Sequence, residues 1–170
     1  MIMQPILYIT CLLSVALTVV TSCHRPKDNK AFAGIRTLPH FTLLAMDSSH
    51  MLTSEQIPTG RPCVFFYFDP NCEHCQKETR GILRNRIELA NVRFYFLSNA
   101  GIKEIDSFYH YFHLDSLPNI FVGTDYQYSF FNAFLPSSIP YMAVYNNRKV
   151  LEKIYNGEAD MTSLISYTRN

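Results

Sequence analysis

The 170-residue chain has no tryptophan and little charge, and these shortages limit what it can be. Charged residues make up 17% of the chain, and the formal net charge is only +1. Nucleic-acid-binding domains usually carry a basic excess, so the composition argues against nucleic acid as a partner. Five cysteines are too few for a small scaffold built mainly on disulfides. Hydrophobic residues make up 48%, including 13 phenylalanines and 11 tyrosines, which suits one domain with an aromatic core.

Charge is absent from the side chains of residues 1–22, and residues 6–20 form an apolar run. The run has the length of a signal-peptide hydrophobic region and is short for a membrane-spanning helix. It ends in Val20-Thr21-Ser22-Cys23, which resembles a bacterial lipobox. The resemblance implies cleavage before Cys23 and lipid attachment to its sulfur. The alternative is an uncleaved anchor helix. Both interpretations predict an extracytoplasmic protein held at a bacterial membrane, with the periplasmic face favoured.

Residues 23–37 are predicted to form a membrane tether, and residues 38–170 the folded domain. The tether is poor in apolar residues and contains Pro26 and several basic side chains. These positive charges could lie on an anionic membrane surface, and a plain soluble linker explains them equally well.

Strand and helix patterns alternate through residues 38–170. Strands are predicted near residues 40–44, 63–68, 92–97, 119–122, 141–145 and 149–155, and helices near 73–89, 102–112, 125–134 and 158–167. In the first helix, Leu83 and Ile87 are expected to share one buried face. This order predicts an α/β fold with a central mixed β-sheet flanked by helices on both faces.

The motif Cys72-Glu73-His74-Cys75 lies between a buried strand and the start of a helix. Two residues between cysteines in the first helical turn bring the sulfurs within bonding distance. The helix start stabilises a thiolate on Cys72, which can attack a disulfide, and Cys75 then resolves the mixed disulfide. A protonated His74 would favour the reduced form, whereas Glu73 would oppose it. The sequence does not rank these two effects.

With this motif the chain resembles the thioredoxin-fold thiol–disulfide oxidoreductases of the TlpA/ResA-like class, which are related to AhpC/TSA proteins. The resemblance covers residues 38–167 and includes the opening LPHFTL, the strand FFYF, the motif CEHC and Ile139-Pro140 before a strand. It implies a thioredoxin-like fold and a cis-Pro140 facing the motif. It also implies that the backbone of Ile139 binds a cysteine-containing peptide. The implied partners are cysteine-containing client proteins and a membrane redox partner. No metal or organic cofactor is implied beyond a redox-active Cys72–Cys75 disulfide.

Two features depart from the family. Asn71 stands where the family usually has tryptophan, and residues 64–68 lack the buried acid that thioredoxins carry on this strand. Asp69 could assist proton transfer, although a turn or helix-entry role is favoured. The missing strand acid predicts slower proton shuttling. The peroxiredoxin spacing of proline, threonine and cysteine is also absent around Cys72, which argues against a peroxidase.

Other residues leave alternatives open. Cys63 opens a buried strand, where a free cysteine is usually a small core residue. Cys72, Cys75, His110 and His113 form a possible zinc set, but 34 residues separate Cys75 from His110, far more than in compact zinc sites. The aromatic residues in 126–134 could form a hydrophobic docking surface, but such a pattern is more typical of a core. Finally, the domain could be a binding module that has lost turnover, because fold alone does not establish activity.

Overall fold

The structure is a computed structural model that describes residues 34–46 and 49–169. The strands are β1 (Thr42–Ala45), β2 (Met51–Thr53), β3 (Cys63–Tyr67), β4 (Arg93–Ser98), β5 (Ile120–Thr124), β6 (Tyr141–Tyr145) and β7 (Leu151–Asn156). The helices are α1 (Glu73–Arg84), α2 (Ile102–Tyr111), α3 (Ser129–Phe134) and α4 (Met161–Thr168). Within these residues no helix has the length and apolarity needed to cross a bilayer. The predicted signal peptide and Cys23 lie outside the described residues.

All seven strands form one mixed sheet in the order β2-β1-β5-β4-β3-β6-β7. The three central strands β3, β4 and β5 are parallel, and β6 is antiparallel to β3. The carboxyl ends of the parallel strands therefore meet the start of β6 and the end of β7 at one edge of the sheet. The CxxC motif follows β3 at this edge, which we name the motif edge.

Both faces of the sheet are covered, because β3 is buried throughout and its side chains alternate between two cores. Val64 and Phe66 pack in the core that contains residues from α1, α2 and α4. Phe65 and Tyr67 pack in the other core, together with aromatic residues of α3. The predicted α/β fold with helices on both faces is confirmed.

The first helix is shorter than predicted, because α1 ends at Arg84 and is followed by turns. The side-chain amide of Asn85 donates a 2.8 Å hydrogen bond to the carbonyl of Gly81, which caps the last helical turn. Ile87 consequently does not share a buried helix face with Leu83, and 80% of its surface is exposed. The short strand β2 was not predicted either, because its three residues carry no recognisable pattern.

The packed domain begins before the predicted start at residue 38. Ile35 is buried, and its carbonyl accepts a 2.7 Å hydrogen bond from the hydroxyl of Tyr145. Thr37 forms an isolated antiparallel bridge with Val150. Tyr145 pairs with Cys63 at the beginning of β3, so the chain enters the domain at the edge opposite the motif.

Candidate active site

Cys72 is the N-cap residue of α1 and is partly exposed. Its Sγ accepts a hydrogen bond from the backbone N–H of Cys75 at 3.4 Å. An N-cap side chain usually offers an oxygen to these unpaired donors, and here a sulfur occupies that position. Negative charge on this sulfur is therefore stabilised by the N–H group and by the positive end of the helix.

Cys75 lies one turn further along α1 and is completely buried. Burial raises the pKa of the Cys75 thiol far above its ordinary value, and the neighbouring Cys72 sulfur raises it further. The pair therefore consists of one accessible sulfur at the helix start and one sequestered sulfur beneath it.

This difference predicts selective alkylation of the reduced protein. Iodoacetamide at neutral pH should modify Cys72 and leave Cys75 unmodified, because the reagent needs an accessible thiolate. Peptide mapping by mass spectrometry after a short exposure measures the ratio. Equal labelling of both cysteines in the folded protein would contradict the assigned roles, and labelling in denaturant provides the matched reference.

Asp69 shapes the loop that leads from β3 into the motif. Its carboxylate accepts a 2.7 Å hydrogen bond from the backbone N–H of Asn71, and its carbonyl accepts one from the N–H of Cys72 at 3.1 Å. These contacts are typical of a turn that presents the N-cap residue. These two hydrogen bonds support a turn role for Asp69.

Pro140 lies at the motif edge, because Tyr141 pairs with Tyr67 at the end of β3. The Ile139–Pro140 peptide bond is cis, as the resemblance implies. Ile139 is exposed, and the structure gives its backbone no hydrogen-bond partner among the described residues. The carbonyl of Pro140 accepts a 2.8 Å hydrogen bond from the N–H of Gly157.

The two residues inside the motif have different surroundings. His74 Nδ1 lies 2.6 Å from Oε1 of Glu158, in the turn between β7 and α4. Glu73 is exposed in the first turn of α1. Sequence reasoning did not find Glu158, because 84 residues separate it from His74 and only the fold brings them together.

Glu78 is a second residue that the sequence did not reveal. It lies on α1 three residues after Cys75 and is 4% exposed. Its Oε2 accepts a 3.1 Å hydrogen bond from the N–H of Ala159, whereas its Oε1 is buried and has no partner in the described part of the chain. Burial raises the pKa of Glu78 to about 7. The strand acid of thioredoxins is absent, but the active-site helix of this chain carries a buried carboxyl group of its own.

A cleft of about 460 Å³ borders the motif on the side of α2. Asn71 and Gln76 line one wall, and Lys103, Phe108 and Tyr111 line the other. Asn71 is the position where the family usually has tryptophan, so the smaller side chain leaves this side of the motif open.

The other sequence candidates lie away from the motif. Cys63 is 1% exposed at the far end of β3, and burial raises its pKa to about 12. His110 lies on α2 beside Asp106, with 3.4 Å between Nε2 and Oδ1. Within residues 34–46 and 49–169, no three histidine, cysteine, aspartate or glutamate side chains form a group suited to a metal ion.

The aromatic stretch 126–134 divides between the interior and the surface. Phe130 and Phe134 stack with ring centroids 4.1 Å apart in the core beside β3. Tyr126, Tyr128 and Phe131 are exposed. The predicted core role holds for Phe130 and Phe134 and not for these three side chains.

No family model matches the chain, and no curated protein matches it in sequence. Solved structures do match. A secreted disulfide oxidoreductase of Mycobacterium tuberculosis, homologous to E. coli DsbE, has a TM-score of 0.63 at 17% identity, covering 76% of this chain and 94% of its own. StoA from Bacillus subtilis has a TM-score of 0.59 at 13% identity, covering 78% and 98%. ScoI from Arabidopsis thaliana, solved with copper bound, has a TM-score of 0.59 at 15% identity, covering 76% and 96%. The described residues therefore have the thioredoxin-like fold.

Proposed function

We propose that this protein is an extracytoplasmic thiol–disulfide oxidoreductase that exchanges disulfides with cysteine-containing client proteins. One observation carries the proposal: an accessible cysteine sulfur occupies the N-cap of α1, and a second cysteine is buried one turn away. This arrangement separates a nucleophile from a resolving thiol. The fold shared with a secreted disulfide oxidoreductase supports it. The proposal places the protein at a membrane through a lipid on Cys23 and requires no metal or organic cofactor.

The proposed exchange has two steps. The Cys72 thiolate attacks one sulfur of the client disulfide, and the other client sulfur leaves as a thiolate. Cys75 then loses its proton and attacks Cys72 Sγ, which releases the second client thiolate and leaves a Cys72–Cys75 disulfide. The client has gained two electrons, and the pair has lost two. A dithiol of the membrane redox partner restores the reduced pair by the same chemistry, and the reverse sequence oxidises a client.

Glu78 is proposed as the proton acceptor for Cys75. Residues three apart on a helix share a face, and both side chains are buried on α1. A carboxyl group with a pKa of about 7 takes up and releases a proton at neutral pH. It would remove the thiol proton during the second step, when the high pKa of Cys75 would otherwise slow the attack.

Pro140 and Ile139 are proposed to receive the client backbone. Among the described residues the backbone of the exposed Ile139 has no hydrogen-bond partner, so an extended client segment can pair with it at the motif edge. A client cysteine held in this way would present its sulfur to Cys72.

Two measurements on the full-length chain test the proposal. The Cys75→Ser variant should accumulate mixed disulfides with clients that dithiothreitol releases, because Cys72 attacks and nothing resolves the product. A Cys72→Ser/Cys75→Ser variant is the control and should retain none. The wild-type protein should also show a reversible two-electron couple in a glutathione series. Retention of the same partners by the double variant, together with the absence of a reversible couple in the wild-type protein, would favour the binding module.

The value of the potential gives the direction of electron flow. A potential near about −270 mV would resemble thioredoxin and mark a reductant of client disulfides, whereas a value near about −120 mV would mark an oxidant.

A further inference from the structure

The turn between β7 and α4, residues 157–160, contacts the active site through three consecutive residues. The N–H of Gly157 donates to the Pro140 carbonyl at 2.8 Å, and the N–H of Ala159 donates to Glu78 Oε2 at 3.1 Å. Glu158, between them, reaches the first two turns of α1. One short segment thus touches the cis-proline loop and the motif helix.

Glu158 contacts two side chains of α1 at once. Its Oε1 lies 2.6 Å from His74 Nδ1, and its Oε2 lies 2.5 Å from Lys77 Nζ. The side chain of Glu158 is 32% exposed, whereas those of His74 and Lys77 are mostly exposed. Lys77, and then His74, hold the pKa of the Glu158 carboxyl below its ordinary value. Glu158 is therefore an anion at neutral pH.

From this geometry we propose that Glu158 is a positioning residue that sets the reduction potential of the Cys72–Cys75 pair. The inference rests on the proposed function. Positive charge near Cys72 stabilises its thiolate, and a stabilised thiolate favours the reduced pair. Glu158 directs His74 and Lys77 toward its own carboxylate and adds a negative charge beside the motif. Both effects destabilise the Cys72 thiolate. They therefore keep the reduction potential of the pair lower than it would be with His74 and without Glu158.

The test is the reduction potential of Glu158→Gln in the full-length chain, measured against glutathione. Loss of the carboxylate removes a negative charge beside the motif and frees the side chains of Lys77 and His74, so the equilibrium should shift toward the dithiol by about threefold to tenfold, which corresponds to a rise of about 15–30 mV. An unchanged potential would overturn the proposal. A lower potential would also overturn it, because Glu158 would then act by supporting a charged His74.

Asp160 provides the matched control. It is exposed in the same turn, and its carboxylate accepts from the N–H of Ser163 at the start of α4. Asp160→Asn removes an equal charge without touching His74 or Lys77, and asparagine retains the capping role. Its potential should differ from that of the wild type by no more than about a third of the Glu158→Gln shift, because Asp160 contacts Ser163 and not His74 or Lys77. An equal shift in both variants would show a general charge effect and overturn the specific role.

A double-mutant cycle separates the two partners of Glu158. In a His74→Asn background the Glu158→Gln shift should shrink, because part of it acts through the imidazole. A full shift in that background would overturn the assigned link through His74. Absence of any reversible couple in the wild-type protein would instead refute the proposed function itself, so the two failures are distinguishable.

Discussion

Replacing Cys72 with serine should reduce the catalysed reduction of a protein disulfide, such as that of insulin with dithiothreitol, to the uncatalysed rate. Loss of the nucleophile in a covalent mechanism lowers the catalysed rate by about 10³-fold or more, because a serine hydroxyl does not attack disulfides under these conditions. The assay is the turbidity of reduced insulin against time. Cys75→Ser should also lose turnover, but it should still form one mixed disulfide per chain.

Cys63→Ala is the matched control for this experiment. It removes a cysteine that is buried at the opposite end of β3 and contributes to the core. The turnover of this variant should stay within about twofold of the wild type, since its thiol has no access to a substrate. If Cys63→Ala lost activity while remaining folded, or if Cys72→Ser retained it, the assignment of the nucleophile would be wrong.

Glu78→Gln should change the pH dependence of stability. The folded-state pKa of Glu78 is about 7, against an ordinary value of 4.5, because burial penalises the carboxylate. Between these values the folded protein binds more protons than the unfolded chain, so the free energy of unfolding falls as pH rises. A shift of this size corresponds to roughly 3 kcal/mol lost between about pH 4.5 and pH 7.

The neutral glutamine avoids this loss and keeps an oxygen for the N–H of Ala159. Its new amide group has a poor environment near the unpaired Oε1 position, which costs about 1 kcal/mol. We therefore expect Glu78→Gln to be more stable than the wild type by about 2 kcal/mol at pH 8 and less stable by about 1 kcal/mol near pH 4. Urea titrations from pH 4 to 8 measure the difference.

The exposed Glu73 supplies the control for this prediction. Glu73→Gln changes an exposed side chain on the same helix, and its pH profile of stability should run parallel to that of the wild type. Parallel profiles for Glu78→Gln and the wild type would show that Glu78 is not a buried titrating group. A slower second exchange step in Glu78→Gln, with an unchanged first step, would support its role as proton acceptor.

The sequence predicted the elements that are specified by their own residues. The central strands are buried on both faces, so their apolar runs are visible without any knowledge of their neighbours. The N-cap position of Cys72 also follows from local order, since a turn precedes it and a helix follows. The position of Pro140 came from a resemblance, not from a pattern in the residues.

The sequence could not predict contacts made by distant segments. Glu78 is buried where the turn before α4 meets α1, since its Oε2 accepts from the N–H of Ala159. A Cβ at Gly81 would lie 3.3 Å from Met161 Sδ, so the first residue of α4 also packs against α1. The contact between His74 and Glu158 has the same origin. Tertiary packing, not local preference, therefore sets the electrostatics of the candidate site.

The entry of the chain at the edge opposite the motif has a consequence for distance. Ile35 is fixed near the beginning of β3, and the cysteines follow its end. The five residues of this strand span about 16 Å. A segment that precedes Ile35 therefore joins the domain at the end opposite the motif, about one strand length from Cys72.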